Sequence, residues 1–152
     1  MYAPALMAFL HHAAAFTVVG ALAVEVALFT PPLSLTQAQR LVRTDMIFGV
    51  SAGVLLAVGL LRVTYFEKGP GYYWHDVFFL LKFGAFLLAS LISIYPTVTF
   101  LSWNRGLKAS VAPEIPVRHA KLVRMCLMLE LTAILLILLC AALMARGFGY
   151  LR

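Results

Sequence analysis

The chain has 152 residues, of which 63% are hydrophobic and only 12% charged. A water-soluble domain of this length carries about 25% charge, so the composition excludes one and points to a protein that lives in a lipid bilayer. The formal net charge of +6 would raise nucleic-acid binding in a soluble chain; here it reads as membrane topology, and no nucleic-acid partner is expected.

Four apolar runs follow one another, each long enough for a helix to cross about 30 Å of hydrocarbon. The first, over about residues 5–29, is interrupted by His11, His12 and Glu25. No Lys or Arg precedes it, and it exceeds the apolar core of about 7 to 15 residues of a signal peptide, so it is expected to be a true span. Pro31 and Pro32 end it. Ser34 with Gln37, and Thr36 with Gln39, have capping-box spacing, which starts the second helix near Thr36.

The second span, about residues 45–66, carries Gly49, Gly53 and Ala57 every four residues and closes near Arg62. Small side chains along one face let another helix approach closely. A turn from Lys68 through Gly69 and Pro70 then leads into Tyr72, Tyr73 and Trp74, aromatics suited to the water–lipid boundary. The third span, about residues 76–101, contains Lys82, and Pro96 is expected to kink it. The next connection holds Pro113 and Pro116 and reads as the loosest part of the chain.

The last span, about residues 120–146, places Glu130 near its middle and carries Cys126 and Cys140. The thiols are 14 positions apart, about 21 Å along a helix, too far to bond within one chain, and read as buried and inert. The short connections leave no room for a soluble domain. The expected fold is therefore all-α: a single transmembrane domain over 1–152, an up-down-up-down bundle of four helices.

Arg40, Arg43, Arg105, Lys108, Arg118, Lys121 and Arg124 gather at the first and third connections, against Lys68, Arg146 and Arg152 at the other end. By the positive-inside rule the first and third connections of this multi-pass protein are expected to be cytoplasmic, so that both termini face outward.

Charged groups inside spans are costly, and they normally face a bundle interior with partners. By helical rise, His11 falls about 9 to 12 Å, and Lys82 about 8 to 10 Å, below the outer boundary. Arg62 falls near the outer rim and Glu130 near the midplane, where Lys82 could reach it or snorkel outward. His11 and His12 point about 100° apart, so at most one faces a given centre.

One of these histidines could ligate a haem iron in the outer half of the bundle, an arrangement compatible with a haem-dependent oxidoreductase among other uses. His11 would be the axial metal ligand, with His12 as the fallback. Arg62 and the boundary tyrosines would meet the propionates, and Lys82 would be a second ligand or proton-handling group beside Glu130. Phe78, Phe79, Phe83 and Phe86 could wall the pocket, and a quinone or another redox partner would exchange electrons.

Bland explanations stand beside each assignment. The histidines could bond between helices without a ligand, Lys82 could pair structurally with Glu130, Arg62 could anchor a helix end, and His75 and His119 could be solvated. Glu25 is expected to pair with Arg43, Arg124 or Lys121, with Asp45 joining that network.

Two rival functions remain open. One is a non-catalytic membrane-complex subunit or assembly factor, or a homo-oligomer, packing through Gly49, Gly53 and Ala57. The other is a small transporter or proton pathway through Glu25, Lys82 and Glu130. Phosphate loops, Ser-His-Asp arrangements and Cys-His zinc spacings are lacking.

Leu10-His11-His12, Leu61-Arg62-Val63 with Tyr65, Lys68-Gly69, Tyr72-Tyr73, Phe78-Phe79 with Lys82, and the closing Met144-Ala145-Arg146-Gly147 resemble the bacterial domain-of-unknown-function family 2214 over nearly the whole chain. That resemblance implies a four-span membrane protein without assigned activity. More distantly, His11 on the first span and Lys82 on the third resemble the HemJ-type protoporphyrinogen oxidases, which implies a haem b site. Glu25 stands where a basic residue is expected in that family, and His75 lies seven positions from Lys82, a wider spacing than that family's.

Overall fold

Every apolar run becomes a helix because a backbone in hydrocarbon must satisfy its own polar groups. The computed structural model describes residues 2–151. Its elements in chain order are α1 (Ala3–Leu28), α2 (Leu35–Leu61) prolonged by a π-helical turn (Arg62–Phe66), α3 (Pro70–Tyr73), α4 (Val77–Ser102), α5 (Asn104–Lys108) and α6 (Val117–Ala145). Four of these helices are long and apolar enough to cross a membrane.

Local chemistry sets the helix boundaries. Ser34 and Gln37 form a reciprocal capping box at the start of α2, where the sequence spacing places it. Asp76 starts α4, its Oδ1 accepting from the amides of Phe78 (2.9 Å) and Phe79 (3.1 Å). Pro116 precedes α6. Pro96 is buried inside α4, which continues as a helix through it.

The helices pack as two antiparallel hairpins, α1 with α2 and α4 with α6, which meet along α1 and α6 and along α2 and α4. The dense core lies toward the end that carries the 29–34 and 103–116 connections, hereafter the loop end. Leu22, Phe29, Ala38, Leu41, Phe100, Val123 and Leu127 are almost fully buried there. Toward the opposite, termini end the buried apolar side chains thin out to Ala14, Val58, Tyr73, Phe79 and Cys140. Phe16, Val50, Leu91 and Leu135 point outward, as suits side chains facing lipid.

After α6 the chain folds back across the termini end. The amide of Val77 donates to Gly149 O and that of Leu151 to His75 O, both at 2.9 Å, and Tyr150 stacks on Tyr72 at 4.8 Å. Gly149 has φ +93°, and a β-carbon there would lie 2.5 Å from Phe78 Cδ2, so this clasp requires glycine.

Candidate functional site

Two polar clusters occupy different levels of the bundle. At the termini end, α1 presents His11, the π-helical turn presents Arg62, and α4 presents Lys82. Arg62 and Lys82 are the charged side chains beside the His11 imidazole. His11 fits because residue 59 is glycine: its Cε1 lies 3.3 Å from where a β-carbon of residue 59 would stand. The Nδ1 atom of His11 is buried and has no hydrogen-bond partner.

Arg62 lies on a π-helical turn, a distortion frequent at functional sites. Its Nη2 donates to Glu67 Oε1 at 2.6 Å, while its Nε is buried and unpartnered. Arg62, Asp76 and Glu67 are the charged groups near Lys82, and Cys140 of α6 lies alongside it. The Lys82 Nζ stands 5.5 Å from the Phe79 ring centroid, within cation–π range.

Phe79 stacks on Phe83 at 6.0 Å, and Trp74 meets both rings edge-on. Of the other phenylalanines, Phe86 lines a cavity deeper in the bundle and Phe78 abuts the Gly149 clasp. Tyr73 is buried against Phe79 at the rim. Burial, followed by the nearby Glu67, raises its phenol above the ordinary value, so it stays a neutral hydroxyl.

His12 meets the His11 ring edge-on at 6.0 Å but is exposed, with Nδ1 bonded to Ala8 O at 2.6 Å; His75, away from the cluster, makes the same kind of bond to Gly71 O at 2.7 Å. His119 is exposed and meets the Tyr95 hydroxyl at 3.0 Å. Glu130 is not beside Lys82. Cys140, the neighbour of Lys82, lies ten positions beyond Glu130 on α6, which puts about 15 Å along the axis between the two levels.

Glu130 instead joins Glu25 and Asp45 in the second cluster. Glu25 is 1% exposed, Asp45 4% and Glu130 1%. Asp45 and Glu130 are the charged neighbours of Glu25, and Asp45 is that of Glu130. Thr97 donates its hydroxyl to Asp45 Oδ1 at 2.8 Å. Glu25 Oε1 and Glu130 Oε1 are buried without partners.

The ion pair expected between Glu25 and Arg43, Arg124 or Lys121 does not form; among the described residues the one ion pair is Arg62–Glu67. The three basic side chains are exposed, since long cationic stems reach water at the rim while the shorter glutamate stays in the core. Arg124 donates to Phe29 O instead, at 3.5 Å.

Asp45 could have been found from helix periodicity. It shares one face of α2 with buried Leu41, Val42 and Phe48, as Glu25 does with Leu22 and Ala21 on α1. The role of Gly59 had no sequence signal. Gly49, Gly53 and Ala57 face outward, with nothing within 4 Å of a β-carbon built on either glycine, so no helix of the same chain covers that face. Among the described residues no three His, Cys, Asp or Glu side chains converge on a metal position; a haem iron needs a single imidazole.

A family model described as "Predicted membrane protein (DUF2214)" matches residues 3–149. No curated protein matches the chain. No solved structure matches it either.

Proposed function

We propose that this chain, which belongs to the DUF2214 family of predicted membrane proteins, binds haem b at its termini end and serves a redox role in the membrane. The observation that carries the reading is the pair of unpartnered buried nitrogens, His11 Nδ1 and Arg62 Nε, with Lys82 among the charged neighbours of His11. Buried polar atoms are normally satisfied, so two orphans in one cluster mark a place where a ligand group is wanted.

The donor set fits haem b. His11 offers an imidazole for the iron, Arg62 and Lys82 offer positive charge for two carboxylates, and Phe79 and Phe83 offer an apolar wall. Arg62 keeps Glu67 on one side of its guanidinium and has Nε left over. Tyr73, held neutral, is a further hydroxyl donor at the rim. Bound haem would supply one-electron chemistry, with a quinone or another membrane redox partner as electron donor or acceptor. The basic rim of the loop end favours an inner-membrane orientation with periplasmic termini, which puts this site on the outer side.

The absorption spectrum of the purified protein, expressed with ample haem, tests the reading. A Soret band is expected in the wild type; its absence would count against haem binding.

The uncovered Gly49, Gly53 and Ala57 face favours a second reading, a non-catalytic subunit or assembly factor that docks another membrane helix there. Stable co-purification of a partner, lost on Gly53→Leu and accompanied by no cofactor spectrum, would select it.

A further inference from the structure

The haem reading makes no use of the second cluster, and that cluster has a chemistry of its own. Three helices deliver three carboxyl groups to the core of the bundle, each nearly sealed from solvent. No Lys or Arg stands among the charged neighbours of any of them. Lys82 is about one half of the hydrocarbon thickness away along α6. Three unpaired anions together in a low-dielectric interior would each carry the cost of burying a charge, compounded by mutual repulsion.

The hydrogen bonding separates the three groups. Asp45 accepts the Thr97 hydroxyl, so one of its oxygens has a partner. Glu25 and Glu130 each leave one oxygen buried and unbonded. An unbonded oxygen of an ionised carboxylate buries charge without a donor, whereas protonation removes that charge, so a proton on each glutamate lowers the cost of these orphans.

A cavity of about 30 Å³ adjoins Glu130, bounded by Val18, Phe48, Phe86, Ser90 and Ile134. Among the described residues no three His, Cys, Asp or Glu side chains converge at metal-ligating positions, which favours a proton as the ligand.

We infer that Glu25, Asp45 and Glu130 form a proton-binding site in the core of the bundle, in which Glu25 and Glu130, each with an unpartnered buried oxygen, carry exchangeable protons. The titratable groups facing Glu130 are Asp45 from α2 and Glu25 from α1; α4 contributes Ser90 and the Thr97 hydroxyl on Asp45, and Cys126 shares α6. This site is independent of haem and would be present in the haem-free protein.

Infrared spectroscopy of the full chain in lipid bilayers tests the inference. A carbonyl band of buried, protonated carboxylic acid is expected at neutral pH. It should shift when the bilayers are equilibrated in heavy water and disappear in strongly alkaline buffer. Glu130→Gln and Glu25→Gln, near-isosteric with the native acids, should each remove a large part of its area. Absence of the band at neutral pH in the wild type would overturn the proposal whether or not the variants fold. So would a band indifferent to both glutamine substitutions, or one abolished at constant pH by sodium or potassium ions, which would indicate a cation site instead.

Discussion

The His11 imidazole rests against Gly59, its Cε1 only 3.3 Å from the position a β-carbon would take on α2. The orientation of the proposed ligand-binding group therefore depends on the absence of a side chain one helical turn before Arg62. Gly59→Ala requires the ring to give way by a few tenths of an ångström, and Gly59→Val requires a larger displacement. Haem content per protein is expected to fall slightly in the first variant and at least about tenfold in the second, with helix content by circular dichroism unchanged.

The Asp45–Thr97 hydrogen bond ties α2 to α4 near the loop end. Thr97→Val preserves shape but leaves a buried carboxylate without its donor. Unfolding in detergent should show a loss of about 1 to 3 kcal/mol, and Thr97→Ser should recover most of it.

Asp76 is fully buried and caps α4 through two backbone amides. It is also one of two acids near Lys82. Asp76→Ala is expected to cost about 0.5 to 2 kcal/mol as a lost cap, while Asp76→Asn, which can still accept from both amides, should cost less. Thermal unfolding of the two variants side by side checks the order.

Gly149 holds the C-terminal clasp with a backbone conformation and clearance that only glycine provides. Gly149→Ala should release the strand from His75 and Val77 at a cost of about 1 to 3 kcal/mol. Hydrogen exchange at the Val77 amide should accelerate, with the cores of α1 and α2 unaffected.

The sequence revealed much of this architecture because membrane spans write themselves in long apolar runs, and the Ser34 and Gln37 pair marked a helix start. Helical rise alone put His11 and Lys82 near one level and Arg62 closer to the rim; Arg62 and Lys82 are among the charged groups that act on His11. Rise carries no information about rotation or helix neighbours, and for that reason Glu130 could be imagined beside Lys82 although it faces Glu25 and Asp45. Glu25 seemed a natural partner for nearby arginines because sequence shows proximity along the chain and not the outward reach of a guanidinium. The contact between His11 and Gly59 joins two helices at a point where neither local sequence is unusual.

Haem quantified by pyridine haemochrome in matched preparations of the wild type, His11→Ala and His12→Ala tests the account most directly. The expected result is about one haem per chain in the wild type and in His12→Ala, whose ring is exposed and bonded to its own helix, and almost none in His11→Ala. Equal haem in all three, or none in any, would contradict it.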